Sequence, residues 1–207
     1  MAQTASPYGL RPVKMTGSQA YNGSMTGFKL STNNSAAMAA GDVIQLTSAG
    51  NPQALAATIT AGTTAGVVGA CAGFRYEQPG DKKPRWGQYL PANAITAGYT
   101  NVEVMVVDDP DVIFMVQGSA ALGSLTNGAA GARGKNAALG NFGAQNAATG
   151  RSGVNLVVGA NGGSLANTAT LAVRIVDVVP GTETDPFPEF LVRFNGAAHS
   201  YNFATGV

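Results

Sequence analysis

Residues 102–117, VEVMVVDDPDVIFMVQ, constrain this chain more than any other stretch. Two β-branched apolar runs flank a cluster of acids and a proline. Residues 102–107 and 112–117 each have the length of an average strand, and their Val, Ile and Phe suit a pleated, half-buried surface. Pro110 presets φ for the second position of a type I turn, with Asp109 favoured before it and Asp111 tolerated after it. The stretch therefore reads as a central β-hairpin whose chemistry is structural first.

Short apolar runs between breakers continue on both sides. Residues 1–20 mix Pro7, Gly9, Pro12 and Gly17 with polar residues, which argues for an extended arm that cannot form a helix. Tyr8, Leu10 and Val13 give the arm something to bury, against its own domain or against a neighbour. Residues 24–30, 43–47, 66–76 and 86–90 follow as strands; Gly27 weakens the first, and Gly66, Gly69 and Gly73 mark bends or close backbone approach in the third. Residues 54–64 fit a short helix and a weak strand equally. The loop at 77–85 holds the densest charge, and Lys82, Lys83 and Arg85 beside Trp86 hint at a nucleic-acid patch. Glu77 and Asp81 oppose those cations, and a solvated hairpin tip accounts for them.

After Gln117 the character changes. Residues 118–153 are nearly all small, with Leu122, Leu125, Leu139 and Phe142 the only larger apolar side chains. Such a composition is too poor in apolar residues to fold alone, so the segment reads as a disordered insertion or an extension ordered against a partner. Strand patterns return at 154–158, 168–179 and 189–194, and the tail carries Tyr201 and Phe203. The layout is a single domain: an arm at 1–20, a β core at 21–117, a Gly/Ala-rich extension at 118–153, and returning strands with a tail at 154–207. About eight short strands with turn signals and no convincing amphipathic helix predict an all-β barrel or sandwich of antiparallel strands.

Composition narrows the function. Charged residues are 11% of the chain, against about a quarter in ordinary domains. So uncharged a surface does little to keep molecules apart in solution, so much of it is expected to be covered by other subunits. A neutral soluble monomer remains open on composition alone. A net charge of +1 supplies no basic field for nucleic acid or an anionic membrane. Cys71 is the only cysteine, which excludes an intrachain disulfide and any CxxC motif and leaves it as a small buried hydrophobe. No signal-peptide h-region or membrane span is visible, so synthesis in a cytoplasm is expected.

No constellation carries catalytic or metal chemistry. Asp108, Asp109 and Asp111 lack the further spaced oxygen ligands of a calcium loop, and neighbours in a tight turn cannot flank a glycosidic bond. His199, the only histidine, has no GxSxG partner and reads as a surface or interface contact. Residues 128–136, GAAGARGKN, imitate a phosphate loop, but Ala129 and Asn136 stand where Gly and Ser or Thr are required. No catalytic residue, cofactor or metal is expected.

An ordered set of motifs spans nearly the full length: PYGLRPV, GDVIQL, GVVGACAGFRY, VVDDPDVIFMVQ, TGRSG, LAVRIVDVVP and VRFN…H…ATGV. Together they resemble the capsid decoration, or cement, proteins of tailed bacteriophages. The chain departs from that pattern in its Ala/Gly-rich stretch at 118–150 and in Gly196-Ala197-Ala198 before His199. The resemblance implies a non-enzymatic virion protein on the capsid exterior, often a homotrimer, that clamps neighbouring major capsid protein subunits. Contacts are expected at Tyr8, Leu10, Arg11, Tyr201 and Phe203, since aromatic and Arg side chains are the usual anchors. The alternatives are another phage structural component of the tail or baseplate and a carbohydrate-binding β module for adhesion; a hydrolase using the acid cluster would need a cleft with opposed carboxylates.

Overall fold

Apolar residues that recur with period two select extended backbone, and the regular secondary structure of the computed structural model is almost entirely short strands. It describes residues 4–17, 19–55, 66–123, 125, 127–196 and 198–202. The strands are β1 (Arg11–Met15), β2 (Thr26–Lys29), β3 (Met38–Ala39), β4 (Val43–Leu46), β5 (Pro52–Ala54), β6 (Val67–Glu77) and β7 (Pro84–Gly87). They continue with β8 (Tyr89–Leu90), β9 (Thr100–Val107), β10 (Val112–Gln117), β11 (Asn136–Gly140), β12 (Asn155–Val157), β13 (Val173–Val178) and β14 (Glu189–Phe194). One helix, α1 (Gly128–Ala132), has five residues. Sheet I has the order β1-β10-β14-β13-β11-β12, sheet II the order β2-β9-β6-β4-β5 with β7 also on β6, and β3 pairs with β8 in a small ribbon. Every strand pairing is antiparallel. The protein is all-β and sandwich-like, and its described strands close no barrel. Of the ambiguous residues 54–64, all but 54 and 55 lie outside the described set.

The two apolar runs of 102–117 are both strands, but they do not pair with each other. β9 lies between β2 and β6 in sheet II, and β10 lies between β1 and β14 in sheet I. The turn itself forms as its residues demand: the Val112 N–H donates to the Asp109 carbonyl at 3.2 Å, and the Asp111 N–H donates to Asp109 Oδ1 at 2.8 Å. It is a corner that carries the chain from one sheet to the other. Period-two patterning specifies which residues face inward and not which strand lies alongside, so the expected hairpin is replaced by two central strands with distant partners.

Two cores result. The main one lies between the sheets and includes Phe114, Val116, Phe190, Val192, Phe194 and Ile175, with Phe114 and Phe194 edge to face at 5.6 Å. The second lies on the other face of sheet II, where Val102, Val104, Val106 and Phe74 pack under Met38, Leu90 and Ala94. β9 alternates without a slip: Val102, Val104 and Val106 serve the second core, while Glu103, Met105 and Val107 share the opposite face. Along that face burial rises toward Val107, which belongs to the main core. Sheet I therefore covers only one end of sheet II, and the other end is bare.

The N-terminal arm is part of sheet I, since β1 pairs with β10 from Arg11↔Met115 to Met15↔Val112. Its entry is a backbone-on-backbone contact. The Leu10 N–H donates to the Gly41 carbonyl at 2.9 Å, and a Cβ on Gly9 would lie 2.4 Å from that oxygen. Only paired glycines permit this approach.

The described residues of 118–153 are likewise built into the fold, in contrast to the disordered insertion or partner-ordered extension expected from their composition. Leu122, Ala132, Ala137 and Leu139 are fully buried in the main core, and β11 pairs with both β12 and β13. The small residues are what make this possible: a Cβ on Gly118 would meet the Phe190 ring at 2.7 Å, and one on Gly140 would meet Val157 at 2.7 Å. Alanine and glycine here give close packing that an apolar-residue count does not register.

Candidate interaction surface

The bare end of sheet II presents two rows of side chains. Strand register aligns Trp86, Arg75, Glu103 and Lys29 across β7, β6, β9 and β2. Arg75 and Glu103 form an exposed ion pair at 3.3 Å, an arrangement that contributes at most about 1 kcal/mol. The adjacent row is Gly73, Met105 and Gly27. Glycines flank Met105 on both sides, and its thioether lies over Gly27, 3.4 Å from where a Cβ there would stand. Met25 and Trp86 border this trough of about 350 Å³. Trp86 is the chain's single tryptophan and is 68% exposed; Met25 is 42% exposed.

The trough shares Ala72 and Gln88 with an adjoining depression of about 380 Å³, whose walls include Tyr8, Leu10, Arg11 and Arg151. Arg11 lies over the Tyr8 ring with its guanidinium carbon 4.1 Å from the centroid. Tyr8 is held by a 2.8 Å hydrogen bond from its hydroxyl to Glu189 Oε1, and burial followed by that carboxylate raises its pKa far above the usual phenol value. Neither Arg11 nor Arg151 has an ion-pair partner among the described residues, and no carboxylate lines either depression. The lining runs from apolar at Trp86 to cationic at the two arginines.

At the other end of sheet II the tail returns. His199 is 1% exposed and bridges to Val67, against the expectation of a surface contact. Its ring packs edge to face on Phe194 and Tyr201, and Nδ1 accepts from the Tyr201 N–H at 3.3 Å. Nε2 has no partner at hydrogen-bond geometry among the described residues. Burial lowers the imidazole pKa, opposed by the Val68 backbone and the carboxylates of Asp108 and Asp109. The Tyr201 hydroxyl donates to Asp108 Oδ2 at 2.7 Å, and burial together with that contact raises its pKa to about 12. Asp108 thus tethers the tail, while Asp109 and Asp111 shape the corner. Cys71 is a buried free thiol whose pKa is pushed up by burial and then by the Asp42 charge.

Of the residues expected at an interface, Tyr8 and Arg11 come together in one depression, and Tyr201 stands apart at 55% exposure. Leu10 lines the same depression but is 2% exposed and packs into the main core. Phe203 lies outside the described residues. Sequence reasoning passed over Trp86, Met25, Met105 and Arg151. Trp86 carried a signal, as the lone tryptophan beside cations; the alignment of Met105 with Gly27 and Gly73 exists only once the strands are in register. No protein-family model, curated protein or solved structure matches this chain.

Proposed function

We propose that this protein is a non-enzymatic structural component of a phage virion that binds the outer surface of the capsid and clamps neighbouring major capsid protein subunits. The observation that carries the reading is the bare end of sheet II, where a 68%-exposed tryptophan and two methionines sit on a rigid two-sheet scaffold. Exposed apolar surface grouped in this way marks an interaction site, and tryptophan is the side chain most enriched where binding energy concentrates. The resemblance to decoration proteins supplies the partner. Most of its motifs fall on β1, β4, β6, the corner between β9 and β10, β13 and β14, elements that build both cores, while TGRSG lies between β11 and β12 and ATGV lies outside the described residues. Low charge suits a protein that works by burying surface between neighbours, and lasting attachment needs more than about 1,000 Å² of it. A homotrimer multiplies the contact made by each chain.

The test is a size measurement on the purified protein followed by mixing with expanded, decoration-free heads. Trimers that sediment with heads and raise the temperature at which they rupture are the expected result. A monomer that never sediments with heads refutes the proposal, and sedimentation with tails alone would transfer the protein to the tail.

A further inference from the structure

We infer that the groove from Trp86 to Arg151 docks an extended, acidic-apolar segment of a partner protein, with an apolar side chain against Trp86 and Met105 and a carboxylate between Arg11 and Arg151. The inference names the site and the chemistry of the proposed capsid attachment, and it rests on that reading only for the identity of the partner as a capsid subunit.

Three observations lead to it. The two depressions share Ala72 and Gln88, which places them side by side within reach of a single extended occupant. The groove is polarised: Trp86, Met25 and Met105 at one end, two arginines without ion-pair partners and no lining carboxylate at the other. A guanidinium already fixed on an aromatic face, as Arg11 is on Tyr8, loses little freedom when it takes a carboxylate, and Arg presents the fork that matches it. Two carboxylates lie nearby outside the lining, and neither forms an ion pair with Arg11 or Arg151. Glu189 accepts from the Tyr8 hydroxyl, and Asp42 is 2% exposed and accepts from the Ala39 N–H at 2.8 Å and Gln145 Nε2 at 3.1 Å.

An extended occupant also suits the shape. The apolar strip crosses β2, β9 and β6, and Gly73 on β6 puts no side chain in its path.

Trp86 is the only tryptophan, so its fluorescence reports on this groove alone. The probe is a panel of synthetic peptides of about ten residues carrying an Asp pair and a Leu-Phe pair separated by about two to about six residues, at about 3.3 Å per residue. Asn and Lys replace Asp in two control sets. At least one Asp spacing is expected to give a saturable blue shift, the Asn version to bind about tenfold more weakly, and the Arg11→Ala/Arg151→Ala double variant to lose at least about tenfold in affinity. Unchanged melting of the double variant shows that its fold is intact. The inference is overturned if no spacing shifts the emission, if Lys peptides bind as tightly as Asp peptides, or if a short oligothymidylate binds as tightly, which would make the groove a general anion surface. Heads separate the two proposals: if the wild type and the double variant sediment with heads equally, attachment stands and the groove is not its site; if Asp peptides bind and heads do not, the groove stands and attachment falls.

Discussion

Replacing Leu10 by Ala tests whether the N-terminal arm belongs to this chain's own fold. Leu10 is 2% exposed and packs in the main core with residues of both sheets. Truncation removes about three methylene equivalents, or about 2.4 kcal/mol at about 0.8 kcal/mol each. The arm cannot collapse into the space, because Gly9 and Gly41 already stand backbone to backbone beside it. The remaining cavity raises the expected loss to about 3–4 kcal/mol. With a urea m-value of about 2–3 kcal/mol/M, the unfolding midpoint falls by about 1.5 M while m stays the same. Val13→Ala, on the same arm at 45% exposure, is the control and shifts stability by less than about 0.5 kcal/mol. Equal midpoints for Leu10→Ala and wild type would refute the packing of the arm. A loss that varies with protein concentration would place Leu10 in a neighbouring subunit instead.

Gly9→Ala introduces a methyl group where the Gly41 carbonyl oxygen stands 2.4 Å away, at a φ of +77°; it should cost at least about 2 kcal/mol in chemical denaturation, and a wild-type midpoint would contradict the close approach. Burial holds the folded-state pKa of His199 below the ordinary 6.5, so below pH 6.5 the unfolded chain binds a proton that the folded one does not, and this contribution to stability falls with pH until the folded pKa is passed. His199→Leu should flatten that part of the stability profile between pH 7 and 5; parallel profiles would show that His199 is not its source. Cys71, buried and with a raised pKa, should react with a thiol reagent only at the rate of opening and become fully reactive in denaturant; rapid labelling of the native protein would contradict its burial. Tyr201→Phe removes the 2.7 Å bond to Asp108 and should lower stability by about 0.5–1.5 kcal/mol, with a larger loss pointing to a wider release of the tail.

Strand identity was legible where period two was strong. Residues 189–194 form β14 with its inward Phe190, Val192 and Phe194, and 102–107 and 112–117 form strands joined by the expected Asp109-Pro110-Asp111 turn. The functional surface was far less legible. Its arginines, Arg11 and Arg151, are 140 positions apart by sequence number, and its apolar strip is assembled from β2, β9, β6 and β7 by register alone. Residues 118–153 were unreadable for another reason. Their glycines and alanines fit against large side chains of other strands, such as Phe190 and Val157, which leaves no periodic apolar signal.

The sequence by itself determined that 102–117 would be two strands around a tight acidic turn, because β-branched patterning and proline geometry are local properties. Only the tertiary structure decided that those strands go to different sheets. Each edge of β9 and β10 is claimed by strands elsewhere in the chain, β2 and β6 for one and β1 and β14 for the other. That choice rests on non-local hydrogen bonds and shared burial, which no sequence window contains. It sends Val107 into the main core and leaves Met105, two residues earlier on the same face, at the surface beside Trp86.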